Sequence, residues 1–334
     1  MEPLSGFSCI PLVTPEVVFE QRSPSLKLNL SRNRLTRLPG AIFDVEHLTM
    51  LSVTRNKLRE IPPAIGKLRN LRELNVSMNY LRFLPYELLE LLQGENNTAA
   101  IYVHPNPFYS PHKDGLEQLR QRRAERKEAE AEADGVSQNP PAVLAGRYRL
   151  VACSPVQYLD SRGETYSRFR LPSAPASRGR IVIDVDVAED THSPPSSDPK
   201  HSKSHPSSLL PSPSRVPTLI ELALRACYNS PELESAPSML PPRTPDYVVR
   251  HLEAALAQKE TGGWTCTVCR RPMIVPRAVW LEWWELSPPV PADWSDERLV
   301  PFIRRGCSWL CVPSRGVDRA QETGEGAAGA PAAS

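Results

Sequence analysis

Apolar positions in the first third of the chain recur with a fixed period. Aligning LKLNLSRNRLTRLP from Leu26, LTMLSVTRNKLREIP from Leu48 and LRELNVSMNYLRFLP from Leu71 sets Leu28, Leu51 and Leu74 at a spacing of 23 residues. The same spacing relates Leu30, Val53 and Val76, then Asn33, Asn56 and Asn79, then Leu35, Leu58 and Leu81, then Pro39, Pro62 and Pro85. A degenerate fourth unit, IYVHPNPF, keeps Ile101, Val103 and Asn106 but lies 27 residues on, with four residues inserted around Gly94 to Asn97. Agreement at this many positions marks an internal repeat. Each L-x-L stretch predicts a short strand whose alternate side chains point inward. The asparagine amide, held in the following turn, can satisfy backbone groups that the bend leaves unpaired. Asn33, Asn56, Asn79 and Asn106 are therefore expected to stack as a ladder. The Leu-Pro step ends each turn, and segments such as PPAIGKLRNL return along the convex side. No single unit can bury its own leucines, so neighbours must stack. The expected fold of residues 22–110 is an α/β solenoid of about four units, preceded by a flank or cap over 1–21.

Strand geometry also names a candidate binding face. The strand positions that alternate with the inward ones are Lys27, Asn29 and Ser31, then Met50, Ser52 and Thr54, then Glu73, Asn75 and Ser77, with Tyr102 and His104 in the last unit. These line the expected concave surface. A basic ridge of Arg32, Arg34, Arg55 and Lys57 runs beside them. From Arg22 to Leu92 there are twelve Lys/Arg against six Asp/Glu, a net of +6 that favours an acidic protein partner.

The hydrophobic pattern changes beyond the repeats. DGLEQLRQRRAERKEAEAEAD, in the segment 111–135, holds Leu116 and Leu119 as its only large apolar residues and predicts a charged, solvated helix capped at Asp114, its first turn covering the open end of the repeats. Residues 136–240 are rich in Pro and Ser and are expected to be largely disordered. Islands interrupt this tract: GRYRLVACSPVQYLDSRG and RIVIDVDV read as strands, and PTLIELALRACYN as an amphipathic helix capped by Thr218. Ser193, Ser212 and Thr244 each precede Pro, the minimal proline-directed phosphorylation pattern. In 241–315 a helix beginning after Pro245, with Val248, Leu252 and Leu256 on one stripe, leads into a Cys/Trp-rich small α+β module. Residues 316–334 read as a disordered tail.

Composition narrows the function classes. In 334 residues there are 36 Pro against 16 Gly, 7% aromatics and a net charge of +2, which argues against one large globular enzyme and against a strongly basic nucleic-acid binder. No apolar run is long enough to span a membrane, and the N-terminus lacks a basic region followed by an uninterrupted apolar stretch, so a cytoplasmic or nuclear location is expected. P-loop, dinucleotide-loop, HExxH, G-x-S-x-G and kinase motifs do not occur. No catalytic residue, organic cofactor or small-molecule substrate is assigned.

Seven cysteines are an odd number for a disulfide framework, and four of them fall late, as Cys266-x2-Cys269 and Cys307-x3-Cys311. A C-x2-C turn presents two thiolates to one edge of a tetrahedral zinc site, and a second close pair supplies the other edge. All six tryptophans (Trp264, Trp280, Trp283, Trp284, Trp294 and Trp309) lie in the same region, so a small core stapled by one structural zinc is expected. Reduced cysteines packed beside tryptophans and redox chemistry at the C-x-x-C are the competing readings. Four ligands would close the zinc site, which argues against hydrolytic catalysis. A RING-type pair of zinc sites needs eight ligands, and His251 is the sole nearby histidine.

The array resembles leucine-rich repeat proteins of the 23-residue intracellular class, which includes Ras-pathway scaffolds and Ras-suppressor-like proteins. The resemblance covers about residues 22–108 and includes the phrase IPPAIGKLRNL. The whole arrangement, ending in CxxC…EWW…RRGCSWxC, is similar to uncharacterised fungal leucine-rich repeat proteins. The resemblance implies the fold and, loosely, a non-enzymatic scaffold or adaptor that binds a protein. Two alternatives stand beside it: a regulator of a small GTPase or phosphatase, and a nucleic-acid binder using the zinc module and the basic helix.

Overall fold

A computed structural model describes residues 25–93, 100–133, 148–172, 179, 181–185, 216–286 and 299–313. The expectations for the flank at 1–21, the insertion around Gly94 to Asn97, the tract holding Ser193 and Ser212, Trp294 and the tail at 316–334 lie outside these residues. In chain order the strands are β1 (Leu26–Asn29), β2 (Leu48–Ser52), β3 (Glu73–Asn75), β4 (Leu84–Pro85), β5 (Ala100–Tyr102), β6 (Ser110–Pro111), β7 (Tyr148–Cys153), β8 (Gln157–Tyr158), β9 (Val182–Ile183), β10 (Ala278–Leu286) and β11 (Leu299–Gly306). The α-helices are α1 (Tyr86–Gln93), α2 (Lys113–Ala133), α3 (Leu219–Asn229) and α4 (Asp246–Thr261).

Each repeat contributes one strand to a parallel sheet in the order β1-β2-β3-β5. The register sets leucine on leucine: Leu28 beside Leu51, Leu51 beside Leu74, and Leu74 beside Ile101. The chain returns through short 3-10 turns at Gly40–Asp44 and Pro63–Lys67. Pro39 and Pro62 enter them with extended backbone at φ −69° and −60°, the angle that the proline ring fixes. In the third unit α1 takes the place of the short turn. Arg32, Arg55 and Met78 occupy the same position of successive units with φ near +60°, which turns the chain toward the asparagine that follows.

A second sheet, in the order β4-β11-β10-β7 with β8 also on β10, joins segments far apart in sequence. β11 runs parallel to β4, with Phe302 beside Leu84 and Ile303 beside Pro85. It pairs antiparallel with β10 along its whole length. Val300 and Phe302 have 0% exposure and lie in the same core as the repeat leucines. The apolar residues around β4 of the third unit would be uncovered without a further element; β11 covers them. The island at 148–158 is part of the C-terminal sheet, which β11 and β4 join to the third repeat.

Other pieces dock on this frame. α2 begins at Lys113, so Asp114 lies in its first turn and is not its cap. Leu116 and Leu119 pack against the cluster of Tyr109, Val151, Leu281 and Trp283. Thr218 caps α3, its hydroxyl accepting from Glu221 N at 3.3 Å. The buried Glu221 carboxylate accepts from Ile274 N and Val275 N at 2.9 and 3.2 Å and pairs with Arg225. The island at 217–229 is thus fixed to the loop that follows the first cysteine pair. α4 ends at Gly262 with φ +97°; a Cβ there would lie 2.6 Å from Ala64 Cβ. That contact seats the helix end on the convex turns of the first two repeats. Among the described residues no helix is long and apolar enough to cross a membrane.

Candidate functional site

The asparagine of each repeat sits at the strand-to-turn bend, where carbonyls of two units converge. Asn56 Nδ2 donates to Val53 O at 2.8 Å and to Leu30 O of the preceding unit at 2.9 Å, while its Oδ1 accepts from Leu35 N at 3.1 Å. Asn79 repeats this with Val76 O and Val53 O, both at 3.0 Å, and with Leu58 N at 3.1 Å. Asn106 donates to Val103 O and to Val76 O, and accepts from Asn79 N and Leu81 N. Asn33, in the first described unit, donates to Leu30 O at 2.9 Å. The amides of Asn56, Asn79 and Asn106 thus bridge their own turn to the preceding unit, which stiffens the edge of the strand face.

The strand-face residues divide into two groups. Ser31 and Ser52 share a hydroxyl contact at 2.8 Å, and Ser52 is buried. Thr54 donates to Ser77 O at 3.0 Å, and Ser77 donates to Asn75 Oδ1 at 2.7 Å. Asn29 Oδ1 accepts from Ser31 N at 3.0 Å. The Ser31–Ser52 and Thr54–Ser77 contacts link neighbouring repeats and the other two brace a single repeat, so these groups hold the face together more than they reach out from it. His104 stands edge-on to Phe108, ring centroids 5.5 Å apart. Lys27 and Tyr102 are exposed and Met50 and Glu73 half-buried, and none of these four side chains takes part in those contacts.

The four late cysteines converge although the two pairs are far apart in sequence. Their Sγ atoms all lie within 4.8 Å of one another. Cys269 and Cys307 sulfurs are 3.4 Å apart, and those of Cys307 and Cys311 3.8 Å. Tetrahedral sulfur ligation with bonds near 2.3 Å requires edges of about 3.8 Å, so the spacing fits one metal ion. All four are free thiols.

The local fold explains how they meet. Cys266 N donates to Arg271 O at 2.8 Å, Arg270 N donates to Cys266 O at 3.0 Å, and Arg270 takes φ +62°. The result is a tight knuckle that aims both sulfurs of the first pair inward. Cys266 Sγ accepts from Cys269 N at 3.5 Å and from Cys307 N at 3.4 Å. Hydrogen bonds from the Cys307 and Cys311 thiols, with these backbone donors, hold the Cys266 thiol far below its ordinary range. The same contact pushes the Cys307 thiol up, and Cys311 up to about 12.

Residues without a recognisable sequence pattern anchor the knuckle. Thr267 N donates to Arg305 O at 2.9 Å, and the Thr267 hydroxyl accepts from Arg304 Nε at 3.1 Å. Arg304 lies 3.6 Å from the centre of the Tyr86 ring and pairs with buried Glu282 at 3.4 Å. Glu282 also accepts from Trp280 Nε1 and Trp284 Nε1. Arg270, between the cysteines and α1, makes a two-armed ion pair with Glu90. The only sequence signal for this set is the RRG run before Cys307, which reads equally well as a solvated charge cluster.

Comparison with known proteins adds the following. No curated protein matches the chain. Residues 25–86, which hold β1, β2 and β3 with Asn33, Asn56 and Asn79, match the family model described as Leucine rich repeat, a repeat of the kind that generally mediates protein–protein interaction.

Proposed function

We propose that this chain is a non-enzymatic scaffold or adaptor that binds a protein partner on the concave strand face of its repeats. The observation that carries the reading is the outward set of Lys27, Met50, Glu73 and Tyr102 on a face whose remaining polar groups are consumed in bracing it. Such a face is rigid before it binds, so little ordering entropy opposes association. The net positive charge of the array supports an acidic partner, which it would also steer. Regulation of a small GTPase or a phosphatase is a narrower form of the same reading, and a cytoplasmic or nuclear location suits either.

Cys266, Cys269, Cys307 and Cys311 hold one structural zinc in this proposal. Sulfur-only ligation suits zinc, and four protein ligands leave no open position for catalysis. Its role is to lock the knuckle onto β11, and through β11 onto the third repeat.

The test is capture of partners from native lysate by the intact chain and by the double variant Met50→Glu, Tyr102→Ala. Neither side chain belongs to the bracing network. A partner bound by the parent and lost in the variant supports the strand face. Identical partners on both refute it.

A further inference from the structure

Beside the strand face a groove of about 570 Å³ runs across the turns that follow the strands, lined by Arg55, Lys57, Met78, Tyr80, Pro105 and Pro107 above the asparagine ladder. Its two ends differ. Arg55 and Lys57, with Arg32 and Arg34 at the same two positions one unit earlier, make one end cationic. Met78, 44% exposed, with Tyr80 and the two prolines makes the other end apolar.

The charge at the cationic end is unspent. Of the acidic residues of the array, Asp44 pairs with Lys67 and Glu90 with Arg270, both away from the groove, while Glu87 is buried. Among the described residues none of Arg32, Arg34, Arg55 and Lys57 has an ion-pair partner. Arg55 Nε instead lies 3.1 Å from Met78 Sδ, at the junction of the two ends.

We propose that this groove binds a short extended acidic peptide segment of the partner, with acidic side chains over Arg32, Arg34, Arg55 and Lys57 and an apolar or proline residue against Met78, Tyr80, Pro105 and Pro107. The proposal rests on the reading of the array as a protein-binding module and gives it a second, specific contact. Neighbouring strands are spaced about 4.8 Å apart, so the four units span about 14 Å, which about four or five residues of extended chain would cross. A single-stranded nucleic acid would meet the cations with phosphates and Tyr80 with a stacked base, but its charge continues past the cationic end and over the apolar one. Charge confined to one end with apolar contact at the other is a pattern that a peptide meets, because its side chains supply both.

The experiment is fluorescence anisotropy on the full chain with labelled peptides. One carries glutamates followed by Pro-Leu-Phe; a second has that order reversed, because either polarity could lie in the groove. A third replaces glutamate by lysine, and a single-stranded oligothymidine serves as the polyanion. The account expects one acidic peptide to bind, more weakly as salt rises. Arg34→Glu with Lys57→Glu should weaken it about 10-fold or more, and Tyr80→Ala about 10-fold, with melting temperatures unchanged. Binding of neither acidic peptide overturns the proposal. So does binding that both variants leave intact, or oligothymidine binding as tight as that of the better acidic peptide. The strand-face variant Met50→Glu, Tyr102→Ala leaves these residues in place. Loss of captured partner in that variant beside failed peptide binding sinks the groove alone, and the converse sinks the strand face alone.

Discussion

Replacing Asn79 by Ala should be among the most damaging single changes in the repeats. The Asn79 amide is 6% exposed, donates to Val53 O and Val76 O at 3.0 Å, and accepts from Leu58 N at 3.1 Å. Alanine removes these bonds, with a fourth to Ser77 O at 3.2 Å, and leaves buried backbone groups of two adjacent units without partners. An unsatisfied buried polar group costs about 1–3 kcal/mol, and partial relaxation shares the loss, so the expected destabilisation is about 3–5 kcal/mol. Asn33→Ala is the internal control. Its side chain is exposed and bonds within its own unit, to Leu30 O at 2.9 Å and Ser31 O at 3.4 Å. Water can replace these contacts, so the loss should stay below about 1 kcal/mol. Urea denaturation of the full chain, read by far-ultraviolet circular dichroism and by tryptophan fluorescence, measures both. All six tryptophans lie outside the repeats, yet Val300 and Phe302 share the repeat core, so the two signals should shift together. Equal losses for the two variants would refute the ladder as a buried inter-repeat brace. A fluorescence transition unmoved by Asn79→Ala would refute the shared core.

Three further outcomes follow from named contacts. Chelation, or Cys266→Ser, should release one zinc per chain and loosen the C-terminal sheet, seen as earlier tryptophan unfolding; a fully metal-free chain with unchanged melting would exclude a structural metal. Gly262→Ala should cost about 1–3 kcal/mol, since it places a side chain at φ +97° and against Ala64, and a neutral result by thermal melting would mean that the helix end does not seat there. Burial raises the Glu87 carboxyl above its ordinary range, so its ionisation opposes folding: the contribution is present at acidic pH and lost as pH rises through the raised value. Glu87→Gln should therefore stabilise at neutral pH, and the gain should shrink on acidification; a gain independent of pH would show that the carboxyl is not the source.

The repeats were legible because their constraint is local and periodic. A leucine at Leu51 has neighbours at Leu28 and Leu74 by stacking alone, and an asparagine in each turn meets the same carbonyls every time. The cysteine cluster was legible through short spacing within each pair. The pairing of β11 with β4 was not: LP at 84–85 carries no strand pattern, and its partner lies more than two hundred residues away. The island at 148–158 gives a similar lesson. Its strand character was readable, but the identity of its partner, β10, is a property of the assembled core. Thr267 and Arg304 were invisible for another reason. A threonine between two cysteines and an arginine in a basic run become anchors only when β11 brings Arg305 O to the threonine and β10 brings Glu282 to the arginine. Alternation also overstated the strand face. It placed Ser52 and Thr54 outward, whereas short hydroxyl side chains fold back onto neighbouring strands when a partner lies within 3 Å.

The central claim is that the repeats meet a protein partner through their strand face, and side-chain oxidation footprinting of the captured complex tests it most directly. Met50 and Tyr102 lie on that face, and Tyr102 is 52% exposed. Met239 and Tyr166, 69% and 47% exposed, lie on the C-terminal parts and serve as references. The account predicts that the partner slows oxidation of Met50 and Tyr102 and leaves Met239 and Tyr166 unchanged. Protection of Met239 and Tyr166, with Met50 and Tyr102 oxidised as in the free chain, would contradict it and move the binding surface to the C-terminal sheet and helices.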